Sequence, residues 1–425
     1  MTAGTTQVTP EGTVVRSPAE MKRARYLGIT YLVLAVFVLV AFGLGTEGNS
    51  TFRLSQPSDR FQVSDLVISA QGLAYIVSAF LAFLGAIQLS RGFGKAANVV
   101  LVVALILFAF TFLGWAAAGK SFSLVGMLQL SVLKSVPITF GALSGVMCER
   151  VGVINIGIEG MLLSGAFTGA LVGSLAGPWI GILAAVLVGG LLAAVLAVLA
   201  IRYQVDQIIA GVVINIFALG ITSFLSSQLL VPNADSLNRV DVLRPIKLPL
   251  LGDIPFFGPI LFDNNIFVYA MFILVAVMTF GLFRTRWGLR SRSVGEHPKA
   301  ADTLGINVFR VRYRNVIYGG FIAGFGGAYF TVGSAGSFDE NMTAGRGFIG
   351  LAAMIAGRWH PVGAFGAALV FGFADALQSK LAILTTPVPG EFLLMAPYIV
   401  TIIVVAGVVG KVRPPAADGQ PYVKE

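Results

Sequence analysis

Apolar runs about 20 residues long, separated by short polar or charged joints, recur from one end of this chain to the other. A helix needs about 20 apolar residues to cross the hydrocarbon core of a bilayer. No water reaches that core to satisfy a free N–H or C=O, so only helices and closed barrels span it. Barrel strands take about 10 residues each, so runs of this length are helical. The expected fold class is an all-α polytopic membrane protein. Composition agrees: 12% of residues are charged, against about a quarter in an ordinary soluble domain.

Twelve apolar segments can be traced: Leu27–Gly43, Leu66–Leu89, Ala97–Ala118, Leu124–Met147, Val151–Ala176, Pro178–Ile201, Ile208–Leu230, Ile266–Phe283, Asn315–Gly333, Gly347–Gly357, Val362–Gln378 and Phe392–Val409. Gly347–Gly357 is too short to span alone. Some segments therefore read as halves of broken helices, and ten to twelve spans are expected, some discontinuous. Lys and Arg concentrate in loops that stay in the cytoplasm. Arg16, Lys22, Arg23 and Arg25 place the beginning of the chain inside, Arg91 and Lys95 the second loop, and Lys411 and Arg413 the far end. The polar stretch Val231–Asn265 falls outside. The divisions expected are a disordered cytoplasmic segment 1–26, a three-span extension 27–123, a core 124–410 and a cytoplasmic tail 411–425.

The longest strongly basic interruption is Arg284–Arg314, with eight Lys/Arg against Glu296 and Asp302. The parity of the spans places it in the cytoplasm. Its centre reads as a turn followed by a short helix, because Pro298 fits a first helical turn and Gly305 fits the end of one. The net charge of +9 lies in loops of this kind, as orientation requires, and nucleic acid is not an expected partner.

A second stretch, Gly141–Phe167, sets Glu149, Arg150, Asn155 and Glu159 in an apolar context. Ionisable groups inside a membrane are costly and face a partner or a polar path. Asn155 and Glu159 therefore either line a substrate pathway or hold a helix break by internal bonds. Asn215, Asp206 and Asp375 are weaker candidates, with Asp206 at the interface. Glycines are abundant, and Gly141-x-x-x-Gly145 is a spacing that lets helices approach closely. Gly160–Gly173 and Gly350–Gly366 echo each other, a possible internal repeat of the kind found in transporters.

Catalysis finds no support. No nucleophile–base pair or metal-ligand cluster has usable spacing, so no catalytic and no metal residues are expected. Cys148 is the single cysteine, which excludes an intramolecular disulfide and a cysteine zinc site, and His297 and His360 are too few for a histidine site. Gly114–Ser121 matches the letters of a phosphate loop. A working one joins a strand to a helix in a soluble domain, whereas this one closes an apolar span. No cofactor is expected on this chain. The first apolar run lacks a small-residue cleavage site and reads as a span, not a signal peptide.

Three runs carry a family resemblance: Gly152–Met161 (GVINIGIEGM), Val294–Asn307 (VGEHPKAADTLGIN) and Gly347–Pro361 (GFIGLAAMIAGRWHP). Together they resemble inner-membrane permeases of ABC importers in the branched-chain amino acid, ribose and nucleoside group, over about Leu124–Gly410, and most closely the nucleoside subgroup. The resemblance implies a bacterial plasma-membrane importer. An external lipoprotein would deliver substrate, two permease subunits (expected to be different chains) would form the path, and cytoplasmic ATPases would drive it. Gly295, Glu296, Pro298, Ala300, Ala301 and Gly305 carry over as ATPase-coupling residues, and Asn155 and Glu159 as pathway residues. Nucleoside is the expected substrate, with simple sugars and branched-chain amino acids as alternatives. A stand-alone secondary transporter, needing titratable groups in the membrane, is the competing class.

Overall fold

The computed structural model describes residues 18–57, 59–383, 395 and 413–424. Among these, ten helices are long and apolar enough to cross a membrane. The chain divides into two compact units, with the described residues up to Val125 in the first and those from Gly126 onward in the second.

The first unit holds α1 (Pro18–Val38), α2 (Ala70–Ser90) and α3 (Ala97–Ala116). Tyr31, Val38, Leu81 and Leu84 form its core. A small sheet sits beside them, with β1 (Asn49–Arg53) between antiparallel β2 (Leu66–Ser69) and parallel β3 (Ser121–Ser123). Two expectations are corrected here. The second span does not begin at Leu66, because residues 66–69 pair with β1 and Ser69 then caps α2 by accepting the N–H of Gly72. Helix α1 already begins at Pro18, inside the stretch read as disordered, and its Arg23 donates to Asn98 at 2.7 Å.

The second unit continues with α4 (Leu124–Glu149), α5 (Ile158–Ala176), α6 (Pro178–Ala197), α7 (Gln207–Leu225), the short α8 (Ala234–Leu237), α9 (Ile266–Arg284), α10 (Arg286–Glu296), α11 (Pro298–Thr303), α12 (Val308–Phe330), α13 (Arg346–Ala356) and α14 (Pro361–Ile383). Several spans run on through single π-helical turns, as α12 does over Thr331–Ala335. The segment expected to be an external loop, Val231–Asn265, contains α8 and the paired β4 (Ile246–Lys247) and β5 (Asp263–Asn264).

Lipid offers no hydrophobic drive between helices, so close packing of small residues has to hold the bundle. Helices α5, α6 and α12 meet that demand: a methyl on Gly165 would lie 2.6 Å from the Gly324 carbonyl oxygen, and one on Gly189 would lie 2.6 Å from the Gly324 Cα. The Gly141/Gly145 pair of α4 faces Gly347, Gly350 and Met354 of α13 in the same way.

Three further expectations need restating. The span read as starting at Asn315 starts at Val308. Asn307 caps it by accepting the Arg310 N–H at 2.9 Å, so Arg310, Arg312 and Arg314 belong to a helix. The Gly/Ala echo does not mark equivalent elements: Gly160–Gly173 lies within α5, whereas Gly350–Gly366 runs from α13 through a turn into α14. Residues 392–409, read as the last span, lie outside the described residues except for Met395.

Candidate functional site

Helix α4 ends at Glu149, and the chain then runs without helix until Ile158. Gly152 takes a left-handed φ of +80° within that break. At the near end, Glu149 accepts the Trp359 indole N–H at 2.5 Å. Arg150 donates to the Trp359 carbonyl at 2.8 Å, and its guanidinium stacks on Phe283. These contacts clamp the end of α4 to the turn between α13 and α14.

The far end of the break gathers the pathway candidates. The Glu159 carboxylate, in the first turn of α5, accepts three bonds: Thr343 Oγ1 at 2.6 Å, Gly345 N at 2.8 Å and Gly347 N at 2.6 Å. Two of these donors are backbone N–H groups at the start of α13, where a helix leaves its donors unpaired and its dipole favours negative charge. Helix α13 has eleven residues, about 16 Å, or half of a bilayer core. Its free N-terminus would be costly within a membrane, and Glu159 satisfies it. Asn215 of α7 accepts Gly160 N at 2.8 Å and donates to the Ile156 carbonyl at 2.9 Å. Asn155 is fully buried; its amide nitrogen lies 3.5 Å from Cys148 Sγ and 3.7 Å from Met161 Sδ, and its Oδ1 has no partner. Asn155, Glu159 and Asn215 are thus brought together around one helix break, bonded to protein groups. Asp206 serves α7 as its N-cap.

The coupling candidates occupy one end of the same bundle. Gly295 closes α10 against the backbone of Arg150, whose carbonyl oxygen a methyl there would strike. Pro298 begins α11, and His297 caps it by accepting the Ala300 N–H at 3.2 Å. Ala301 is 2% exposed, in a cluster with Val294, Val308 and Val311. Glu296, Ala300 and Gly305 are exposed, and Gly305 has the left-handed φ of +78° that ends the helix. The phosphate-loop letters at Gly114–Ser121 join the end of α3 to β3, the reverse of the strand-to-helix order that binding requires.

The family model described as "Branched-chain amino acid transport system / permease component" matches residues 127–405. The chain belongs to that family. Among similar permeases, the guanosine ABC transporter permease protein NupQ of Bacillus subtilis is 42% identical over 70% of this chain and 96% of its own length. The nucleoside ABC transporter permease protein NupC of Lactococcus lactis is 39% identical over 71% of this chain and 99% of its own. The putative glucose ABC transporter permease protein TsgC13 of Haloferax volcanii is 32% identical over 60% and 77% respectively. No solved structure matches the permease.

Two features of the permease escape a reading of the sequence. Lys134 of α4 and Arg346 of α13 converge on Asp375 of α14, at 3.8 Å and 3.1 Å. Arg346 also lies over the Phe330 ring. This half-buried charge cluster is assembled from residues far apart in sequence, and of its members only Asp375 stood out there. The second is Leu304, 82% exposed at the end of α11. A single apolar letter in a polar loop gave no signal; its position at the tip of a helix does.

Proposed function

We propose that this chain is one of two permease subunits of an ABC importer that carries nucleosides inward, with α11 as the helix that meets a cytoplasmic ATPase. The observation that carries the reading is the α10–α11 unit. An exposed six-residue helix, tipped by Leu304 and seated on α12 through Ala301, joins two spans at a point that a stand-alone carrier has no need to build. A small rigid element of this kind can pass rigid-body motion to the spans on either side. The chain has ten helices of spanning length among the described residues, and the basic α10–α11 region fits a cytoplasmic position, with both ends of the chain inside.

Nucleoside is favoured as substrate by the two relatives with the higher identities, named for guanosine and nucleoside transport. A sugar is the second reading, favoured by the relative named for glucose. Asn155, Glu159 and Asn215 shape the path by holding the α4–α5 break and the α13 half-helix, and the Lys134–Asp375–Arg346 cluster offers charge to a passing polar solute. A binding lipoprotein outside the membrane supplies the substrate. The test is uptake of labelled guanosine by cells expressing the chain with its partner genes, with unlabelled nucleosides, glucose and leucine as competitors. Competition by nucleosides alone supports the reading; competition by glucose but not by nucleosides overturns the substrate.

A further inference from the structure

Residues 413–424 are packed onto the coupling end of the bundle. Ala417 donates its N–H to the Gly295 carbonyl at 2.9 Å, and Ala416 donates to Glu296 Oε2 at 3.3 Å. The Lys424 ammonium lies 3.6 Å from Asp302 of α11. The segment thus touches the end of α10 and the body of α11. Its other side meets the α4–α5 break and α12. Arg312 of α12, 1% exposed, donates Nε to the Val151 carbonyl at 3.1 Å and Nη1 to the Gln420 carbonyl at 3.0 Å. One guanidinium therefore ties the segment to the break. At Gly152 a methyl would lie 2.8 Å from the Ala417 carbonyl oxygen, so the two backbones touch where only glycine fits. Tyr422 is 6% exposed, with its ring 5.3 Å from that of Phe309, in the same cluster as Ala301, Val294 and Val151.

Helix α11 needs such a restraint. It has six residues, and Ala301 is its one buried side chain. Helices this short are marginal without tertiary support. One buried methyl is little support, and open space surrounds the turn at Gly305. A lever held so lightly would swing when pushed, and the push would not reach the spans.

We propose that residues 413–424 act as a positioning strap, fixing α11 to the α4–α5 break and to α12 so that displacement of α11 moves α5 and α12. The proposal rests on the reading of α11 as the ATPase-contacting helix. Its central residue is Tyr422. Truncating a buried ring shifts a docking equilibrium by roughly a hundredfold, whereas Tyr422→Phe keeps the ring.

The test uses the assembled transporter in proteoliposomes and reads labelled guanosine taken up per ATP hydrolysed. Tyr422→Ala, and a chain lacking residues 413–425, are expected to keep the ATPase bound and hydrolysing while uptake per ATP falls severalfold. Tyr422→Phe is expected to restore the native ratio. Uptake per ATP that is unchanged in Tyr422→Ala overturns the strap. So does loss of the ATPase from Tyr422→Ala, which makes the segment a docking surface, or failure of Tyr422→Ala to accumulate in the membrane, which makes it a fold element. If the native chain binds no ATPase, the failure belongs to the proposed function.

Discussion

Glu159→Gln should loosen α13 while leaving the bundle in the membrane. In the native chain Oε1 accepts from Thr343 Oγ1 and Gly345 N, and Oε2 accepts from Gly347 N. Glutamine has one acceptor oxygen and one donor nitrogen. With its oxygen in the Oε1 position it keeps two bonds and faces the Gly347 N–H with an N–H of its own; flipped, it keeps the Gly347 bond, faces the Gly345 N–H with an N–H, and needs the Thr343 hydroxyl to turn from donor to acceptor. The smaller loss is one hydrogen bond to a charged acceptor, worth about 1.5–3 kcal/mol. The charge at the start of α13 goes as well, at about 0.3–1 kcal/mol and more where partly buried. The sum is about 3 kcal/mol, or roughly a hundredfold in the opening of α13 from α5. Cys148 is the single cysteine and is buried, so a thiol-reactive dye reads unfolding directly in detergent. Glu159→Gln is expected to melt several degrees below the native chain and to lose most uptake. Thr343→Ala, which leaves both backbone bonds, should fall between the two. Native melting and native uptake in Glu159→Gln would refute the argument that this carboxylate holds the half-helix.

Leu304→Ser removes an exposed side chain, so it should weaken ATPase co-purification without altering the melting temperature; a lowered melting temperature with intact co-purification would contradict this. Ala301→Lys places a charge among Val294, Val308 and Val311 and should abolish uptake while the chain still reaches the membrane, as membrane fractionation would show. Asp375→Asn leaves Lys134 and Arg346 without their carboxylate, and unpairing a charge in a desolvated setting costs about 3–5 kcal/mol at most; uptake should fall, and wild-type uptake would remove the cluster from the path. Burial pushes the Asp418 carboxyl up to about 6 against the opposing pull of its hydrogen bonds with Glu149 of α4 and the Gly419 backbone and of the Arg312 charge on α12. A carboxyl raised in the docked state binds its proton more tightly there, so docking of 413–424 is penalised above pH 6 and relieved as pH falls from about 6 towards 4. Amide protection of that segment, corrected for intrinsic exchange, should therefore rise on acidification, and Asp418→Asn should flatten the trend; a fall in protection would reverse the sign of the argument.

What could be read from the sequence followed from strong local signals. The bilayer imposes a length on apolar runs, so the spans stood out, and orientation by charge isolated Arg284–Arg314. Pro298 and Gly305 marked the ends of α11 because each has one backbone preference that fits there. What escaped depends on contacts between distant residues. Leu66–Ser69 continues an apolar run smoothly, and only its pairing with Asn49–Phe52 makes it a strand. Arg310, Arg312 and Arg314 looked like loop charges because nothing local shows that Arg312 is enclosed by Val151 and Gln420. Lys134, Arg346 and Asp375 lie in three helices that come together only in the folded bundle. For Glu159 the local pattern left two roles open, and the three donors around it come from residues 343–347, which no local window contains.

The most direct test of the account is a pull-down of the tagged chain from mild detergent, with Pro298–Thr303 native or scrambled. The account predicts that an ATPase and a second permease chain come down with the native protein, and that scrambling releases the ATPase while the second permease stays. A native chain that comes down alone and carries guanosine into liposomes without ATP would contradict it, and would make this protein a stand-alone carrier.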